Sequence, residues 1–397
     1  MAEIADMARH QRAHVPAGAA TAATLLRDVA PAAWDDLTAQ IVEPNGYYLS
    51  PWALAVDAGA RGRSHVDALC GFVSRRLVAL LPVVSAWRAF RLPLPVVVSA
   101  ESYGTLHTPL LARDDAPSAA QALCDDARAR GARAIVLRHV PIEGAALDAI
   151  RAVLARDCLA PTVLHSYARA CLDASGDAEI LLRDALGPKK LKELRRQRNR
   201  LSETGALTFT VARTADEVAH AIETFLALEA GGWKGKRGTA LVQHEGDAAF
   251  IRHAARDLAA RGQCEIAVLA AGETPVAAGI ILKHDTRAFW FKLGVDERFA
   301  RLSPGVQLAL ELTRYFCTDP SVTFVDSTAP ADSPMINPIW RGRFTIGDVL
   351  IPLRANDPVM PLVLAALRVH RRLYHVARSA VHAFRRLKER LVRSRPG

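Results

Sequence analysis

The chain is poor in aromatic residues and has no closely spaced cysteines. These features limit the classes of protein to which it can belong. Phe, Trp and Tyr make up 6% of its 397 residues. Its six cysteines include no C-x-x-C pair and no histidine at zinc-finger spacing. We therefore expect buried free thiols in a reducing compartment and no bound metal.

Long apolar runs are also missing. No window approaches the roughly 18 consecutive apolar residues that a membrane span needs. The first thirty residues contain no apolar stretch of signal-peptide length. We expect a cytoplasmic protein, either soluble or attached peripherally to the inner membrane face.

The formal net charge of +10 is concentrated in two segments. Residues 189–200 (KKLKELRRQRNR) hold seven basic residues and one glutamate, and residues 358–397 hold ten basic residues and one glutamate. The rest of the chain is net acidic, so the sequence predicts two basic patches and not a general polyanion-binding surface. Aromatic residues are not interleaved with the basic ones, and nucleic acid is therefore not the expected partner.

Helical and strand patterns alternate along most of the chain, which predicts an α/β layer structure. Residues 25–175 and 176–357 have similar length and element order, so we predict two related domains with mixed, mostly antiparallel sheets. The helix at 189–204 bridges them. In the second domain, Thr214 and Glu217 form a T-x-x-E capping box, and three strands between 263 and 294 follow as hairpins. Residues 1–24 have no sustained period and are expected to form a flexible arm.

The basic tail, residues 358–397, has helical periodicity. Leu373, Val376 and Phe384 belong to an apolar stripe that repeats every three or four residues, with arginines between. This pattern is typical of a basic amphipathic helix over 367–393, which either contacts an anionic membrane or packs on the body of the protein.

The segment 290–316 predicts a binding site for a pyrophosphate. An apolar strand ends there, a short basic loop follows, and a helix begins with Pro304 at its first position. The free amides and dipole of a helix start favour an anion. The alternative is an ordinary capped helix beside two solvated arginines. The candidate cofactor-binding residues are Arg298, Arg301, Ser303, Gly305 and Val306.

A glycine-rich turn carries the candidate acceptor-binding residues. Glu229 lies near the end of a helix, and Trp233 and Lys234 follow it in the stretch LEAGGWKGKRG. Such a turn can close over an acceptor, with Trp233 as a platform and Glu229 holding or deprotonating an amine. The alternative places Trp233 in the core and makes Glu229 a capping or surface carboxylate.

Two further residues complete the predicted site. Asp326 follows the apolar strand VTFV at its carboxyl end, where α/β sheets tend to place their sites, although such an aspartate is also often a turn cap. Glu229 and Asp326 are the candidate catalytic residues. Trp340 is a third candidate substrate contact, and Cys317 is expected in the core.

These residues stand in segments that resemble the GNAT acyltransferases. Arg301 and Gly305 lie near the Arg and first Gly of the family's Q/R-x-x-G-x-G/A loop, although the spacing is one residue longer and the second Gly is missing. A closer resemblance, from about Trp34 to Leu353, is to the cellulose-biosynthesis-associated CelD/BcsL-like branch, relatives of the Fem-type peptidoglycan aminoacyltransferases. The stretches 225–241 and 300–308 carry it.

The resemblance implies tandem GNAT-like domains, with acetyl-CoA or another acyl-CoA bound by the C-terminal one. The N-terminal domain keeps the fold without the CoA loop. The implied reaction is direct transfer of an acyl group to a small-molecule or glycan-precursor acceptor, with amides at the end of the strand TRAFWFKLG polarising the thioester carbonyl. The Tyr-Lys pair that the branch carries after Asp326 is absent here. Aminoacyl transfer from tRNA and a non-catalytic RNA- or membrane-associated scaffold are the alternatives.

Overall fold

The structure is a computed structural model that describes residues 24–374 and 376. The predicted arm falls outside this range except for Thr24, and so does most of the basic tail. No helix in the described part is long and apolar enough to cross a membrane. All six cysteines are free; three are buried, but Cys158 is exposed, so the expectation of burial is wrong for that thiol.

The first half forms helices packed on a set of strands. Asp115 caps α4 by accepting from the Ser118 amide, and Pro117 lies in the first turn of that helix, which explains its sharp start. The elements are α1 (Pro31–Thr38), α2 (Ser50–Gly59), β1 (Asp67–Val73), β2 (Arg76–Ser85), α3 (Ala86–Phe90), β3 (Val96–Ser99), β4 (Leu110–Leu111), α4 (Ala116–Ala129), β5 (Ala134–Pro141), α5 (Ala145–Arg156) and β6 (Thr162–Asp173).

The second half begins with the predicted bridging helix, α6, which is broken at Gly187 (φ 69°) just before Pro188. The capping box of Thr214 and Glu217 is confirmed at the start of α7. The elements are α6 (Ala178–Ser202), β7 (Leu207–Ala212), α7 (Ala215–Gly231), α8 (Trp233–Lys236), α9 (Glu245–Ala259), β8 (Cys264–Ala271), β9 (Thr274–His284), β10 (Arg287–Val295), α10 (Pro304–Thr318), β11 (Phe324–Asp326) and β12 (Gly342–Pro352). A last helix, α11, begins at Met360 and is helical through Tyr374.

The twelve strands of the described part join one sheet, in the order β1-β2-β3-β5-β12-β6-β11-β10-β9-β8-β7, with β4 pairing β2. The two halves exchange their last strands. β6 pairs with β11 of the second half, and β12 returns to pair with β5 of the first. Because β6 and β12 also pair with each other over nine register positions, the halves share a continuous sheet and are tied at its centre.

Each half contains one parallel pair of strands that diverges. In the first half, β3 and β5 pair only over Val96–Val98 and Ala134–Val136, and β5 then runs on to Pro141. In the second half, β10 and β11 pair over Arg287–Phe289 and Phe324–Asp326, and β10 runs on to Val295. These two divergences leave room beside the sheet, and the candidate site lies at the second.

Candidate functional site at the divergence of β10 and β11

A β-bulge marks the point where β10 leaves β11. The register with β9 passes from Trp290↔Ile281 to Lys292↔Ile280, so Phe291 has no partner on β9. It also lies beyond the last residue that pairs with β11. A bulged residue interrupts the ladder and re-aims the side chains that follow it. The bulge therefore leaves backbone polar groups outside the sheet ladder, in the strand that the sequence predicted to polarise a carbonyl.

Glu229 of α7 binds two lysines beside this bulge. Its Oε1 accepts from Lys292 Nζ at 3.0 Å and from Lys234 Nζ at 2.9 Å. Its Oε2 accepts from the Leu241 backbone amide at 2.9 Å. The Glu229 side chain is fully buried, whereas the two lysines keep 17% and 20% of their side chains exposed. The cluster thus has one buried carboxylate and two partly exposed cations, with a net charge of +1.

The protonation states follow from this arrangement. Burial alone would raise the pKa of Glu229, but the charges of Lys292 and Lys234 and the Leu241 amide together hold it below its ordinary value. Burial lowers the pKa of Lys292, and the charge of Lys234 lowers it further, against the opposing effect of Glu229. Glu229 is therefore ionised at neutral pH and is a weak base, so it fits a role in placing the two ammonium groups.

The first half contributes Tyr103 to the same site. Lys292 Nζ lies 5.7 Å from the centre of the Tyr103 ring, and Arg63 packs over that ring at 4.1 Å. The Tyr103 hydroxyl donates to Asp247 of α9 at 3.0 Å. Tyr103 has a left-handed backbone (φ 60°), a conformation that costs free energy and is often found at functional sites. The cluster consequently lies between the two halves.

The sequence did not single out Lys292, Tyr103 or Asp247. In the sequence, Lys292 has the pattern of an ordinary polar strand residue. The β-bulge that turns it towards Glu229 has no recognisable sequence pattern. Tyr103 lies in a loop of the other half, more than a hundred residues from α7. The sequence feature that could have indicated Lys292 is its positive charge directly after the apolar run FWF.

Asp326 is buried at the end of β11, as predicted, but it faces away from solvent. Its Oδ2 accepts from Arg169 of β6 at 3.0 Å, and both side chains are at most 1% exposed. Its Oδ1 accepts from the Thr328 amide at 2.7 Å. Both oxygens are engaged, so this geometry fits a residue that joins β6 to β11 and sets the path of the following loop.

The predicted cofactor loop retains one cation with no ion-pair partner. Arg298 is held by Asp296, with Nη2 at 2.6 Å from Oδ2, whereas Arg301 is exposed and forms no ion pair or hydrogen bond with a described residue. Ser303 occupies the N-cap position of α10, but its side chain makes no capping hydrogen bond and its backbone is left-handed (φ 54°). Its carbonyl instead accepts from the amides of Val306 and Gln307.

Gly305 is required by packing. A Cβ at this position would lie 2.9 Å from Leu293 Cδ2 and 3.3 Å from Met335 Sδ. The residue is buried between β10 and the loop that follows β11, so its lack of a side chain allows α10 to approach that strand. Gly305 was predicted to contact the cofactor, but packing explains why this position is a glycine. Its amide has no hydrogen-bond acceptor among the described residues, whereas the Val306 and Gln307 amides donate to Ser303.

The two tryptophans that were predicted to contact the substrate differ in solvent exposure. Trp233 starts α8 with half of its surface exposed, and Arg237 lies over its ring at 5.0 Å. Trp340 is 1% exposed, packs against Trp290, and donates from Nε1 to the Thr313 hydroxyl. Trp340 therefore packs in the core of the second half and is not a substrate contact in this structure; Trp233 and Lys234 stay accessible.

The comparisons with known proteins agree with this fold. Residues 188–333 match the family model described as Acetyltransferase (GNAT) domain. A crystal structure of FemX has a TM-score of 0.54 at 12% identity, over 85% of this chain and 98% of that one. L-PGS from Bacillus licheniformis has a TM-score of 0.51 at 15% identity, over 88% and 98%. The C-terminal domain (DUF2156) of a candidate lysylphosphatidylglycerol synthetase from Agrobacterium fabrum has a TM-score of 0.51 at 12% identity, over 85% and 95%.

No curated protein matches the chain by sequence. At these identities the solved structures establish the shared fold alone. The family match assigns a GNAT domain to residues 188–333, and the fold is shared with FemX over 85% of this chain. The predicted fold class, two GNAT-like halves of mixed α/β structure, is confirmed; the matches do not point to the cellulose-associated branch.

Proposed function

We propose that the protein transfers an acyl group from acyl-CoA to an amine, with the reacting carbonyl at the bulge of β10. The observation that carries this proposal is the position of Phe291, outside the ladder and directly before Lys292. Backbone amides at such a bulge can donate to the carbonyl oxygen of a thioester. The net positive charge of the Glu229–Lys234–Lys292 cluster favours the negative charge that develops on that oxygen.

The reaction needs no covalent enzyme intermediate. The amine nitrogen attacks the thioester carbon, the new C–N bond forms, and the C–S bond breaks. The proton lost by the amine ends on the released thiol. In this proposal Lys292 stabilises the oxyanion, Glu229 places Lys292 and Lys234, and Trp233 provides a surface for the acceptor. Asp326 acts through Arg169 and Thr328 as a positioning residue.

Acyl-CoA fits the charges at the start of α10. Arg301 has no ion-pair partner in the described part, and the amide of Gly305 has no hydrogen-bond acceptor among the described residues. Both would face a phosphate of the donor. The acceptor proposed from the sequence resemblance is a glycan precursor or another small molecule used in cell-envelope synthesis, and we propose a cytoplasmic reaction.

A second donor, aminoacyl-tRNA, is favoured by one observation on α6. Five cations in the part of α6 after its break at Gly187 are exposed and form no ion pair with a described residue. The Leu194 carbonyl in the same part accepts from Gln307 Nε2 of α10 at 2.9 Å. A row of exposed cations next to the donor end suits a nucleic acid backbone. These cations are Lys189, Lys192, Arg195, Arg196 and Arg200.

Binding measurements with a matched pair of variants test the donor. We expect acetyl-CoA or a longer acyl-CoA to stabilise the wild type against heat, and Arg301→Ala to lose roughly tenfold in affinity. Arg298→Ala, in the same turn but already paired with Asp296, should lose much less. Release of CoA thiol with a panel of amines then tests transfer, and Lys292→Met should abolish it while acyl-CoA still binds.

The opposite outcome supports the second donor. If no acyl-CoA binds, and charged tRNA binds with an affinity that falls in an Arg195→Glu, Arg196→Glu variant, the acyl-CoA proposal is rejected in favour of aminoacyl transfer. If neither donor binds, both proposals fail.

A further inference from the structure

A cavity of about 670 Å³ lies at the divergence of β3 and β5 in the first half. It is separate from the Glu229 cluster, and none of the predicted site residues lines it. It is lined by residues of β5, β6 and β12, by the loop 328–332, and by α3 and α11. Its size is that of a small-molecule site.

This cavity carries a cation with no counter-ion. Arg138 lines the cavity, and its guanidinium forms no hydrogen bond or ion pair with a described residue. The β5–β12 ladder is interrupted here, passing from Val140↔Gly347 to Leu137↔Val349. The neighbouring His139 has a left-handed backbone (φ 47°), and its amide donates to Asp348 at 3.0 Å. A strained residue beside an unpaired arginine in a cavity indicates a binding site for an anion.

The inner end of the cavity reaches the proposed site of transfer. Thr328 lines the cavity, and its hydroxyl donates to the Trp290 carbonyl at 2.5 Å. Trp290 directly precedes the bulged Phe291. A molecule held in the cavity would therefore approach β10 past Thr328.

The side of the cavity lined by α3 and α11 combines apolar side chains with polar ones, among them His370 and Arg371, and adjoins an exposed apolar surface. Phe90 of α3 and Leu367 of α11 line this side, and Phe90 contacts His370. Beyond it, α11 packs on the body through Val363 and Leu367 but leaves a stripe of apolar side chains exposed, and α3 exposes a tryptophan. These exposed side chains are Trp87, Leu362, Val369, Leu373 and Val376.

Three arginines flank this apolar surface. Arg91, Arg368 and Arg372 are exposed, and none pairs with a described residue. An apolar stripe bordered by unpaired arginines is complementary to an anionic bilayer, into which apolar side chains insert while the arginines contact head groups. Only the part of the predicted 367–393 helix up to residue 376 is described, and that part is consistent with such contact.

We propose that this cavity binds the acceptor as an anionic amphiphile, taken from an anionic membrane on which α3 and α11 rest. The anionic group contacts Arg138, the apolar part leaves past Phe90 and Leu367, and the reacting end points to Thr328. This inference rests on the proposed transfer at β10 for the role of acceptor, but binding by the cavity can be measured without any transfer.

Short-chain phosphatidylglycerol, used below its micelle concentration, probes the cavity in solution. Titration calorimetry should show binding to the full-length wild type, with roughly tenfold lower affinity in Arg138→Gln. Glycerol phosphate, which has the anion without the chains, should bind much more weakly. Ala331→Trp, on the exposed loop beside the cavity, should block binding without disturbing a buried position, and far-UV circular dichroism confirms folding.

Vesicles distinguish a membrane source from a soluble one. The wild type should sediment with vesicles that contain phosphatidylglycerol and not with phosphatidylcholine alone, and Leu373→Glu should reduce sedimentation while short-chain lipid still binds. Equal binding of short-chain lipid to wild type and Arg138→Gln would overturn the site. Glycerol phosphate binding as tightly as the lipid would overturn the amphiphile, and lack of sedimentation would overturn the membrane source.

The proposed function is tested by acyl-CoA binding, which is measured separately from lipid binding by the cavity. Arg138→Gln should leave the affinity for acyl-CoA unchanged because none of the predicted cofactor-binding residues lines the cavity. Loss of acyl-CoA binding in the wild type with lipid binding intact would reject the donor and keep the cavity. The reverse pattern would reject the cavity and keep the donor.

Discussion

Arg169 and Asp326 form a buried ion pair at the centre of the sheet, where the last strand of the first half meets the second half. The two side chains are 3.0 Å apart and almost completely buried. Arg169 also donates to the Thr105 carbonyl and to the Tyr167 hydroxyl. Arg169 therefore connects β6, β11 and the loop that holds Tyr103, so the pair links the two halves around the proposed site of transfer.

Removal of one partner of this pair should destabilise the protein strongly. Asp326→Ala leaves a buried guanidinium without its counter-ion, and we expect a loss of about 3–5 kcal/mol in the free energy of unfolding. Urea denaturation measures it. Arg113→Ala is the matched control, since Arg113 and Asp285 pair at 2.9 Å with 61% and 42% of their side chains exposed, and it should cost less than about 1 kcal/mol. Similar losses in the two variants would contradict a central role for the buried pair.

The packing role of Gly305 leads to a second stability prediction. Gly305→Ala would bring a methyl group within 2.9 Å of Leu293, and we expect a loss of about 1–3 kcal/mol from overpacking. Gly231 offers the control because a Cβ there meets nothing within 4 Å and its φ is not positive. Gly231→Ala at the end of α7 should be neutral or slightly stabilising. Thermal denaturation of both variants separates a packing requirement from a phosphate-binding one, since the latter would leave stability unchanged.

Local signals in the sequence predicted local structure well. Thr214 and Glu217 locate the start of α7, and β8, β9 and β10 follow one another as hairpins, as expected. The exchange of β6 and β12 between the halves was not predicted. Nothing in the apolar pattern of β12 states that it pairs with β5, some two hundred residues earlier, because a strand buried on both sides has the same pattern wherever it is placed.

The candidate site was predicted only in part, because some of its residues are brought together by long-range structure that the sequence pattern does not show. Glu229 and Lys234 are close in sequence, and the structure brings them together. Lys292 joins them only because the bulge at Phe291 changes which face it occupies, and a bulge has no reliable sequence pattern. Trp340 was misjudged because an aromatic residue in a loop is compatible with both a substrate contact and a core position.

The ionised state of Glu229 should make its contribution to stability depend on pH. Because its pKa is lower in the folded protein than its ordinary value of 4.5, the unfolded chain binds more protons in the window between the two pKa values. The stabilisation by Glu229 is therefore fully present above pH 4.5 and is lost as the pH falls through the folded pKa. Glu229→Gln should be less stable than the wild type at pH 7, and the gap should shrink in acid. Urea titrations over this range test it, and a gap independent of pH would contradict an ionised Glu229.

The contrast between Trp233 and Trp340 yields the last prediction. Trp340→Ala removes a fully buried ring and a hydrogen bond to Thr313, and we expect it to cost about 3–5 kcal/mol in the free energy of unfolding. Trp233→Ala removes a half-exposed ring, so it should cost less than about 1 kcal/mol but weaken acceptor binding, because the ring and its arginine neighbour form the open surface next to Lys234. Chemical denaturation and a titration with the acceptor amine, both on the intact chain, measure the two effects. If Trp233→Ala leaves acceptor affinity unchanged, the acceptor does not use this surface, and the cavity at Arg138 remains the place to look for it.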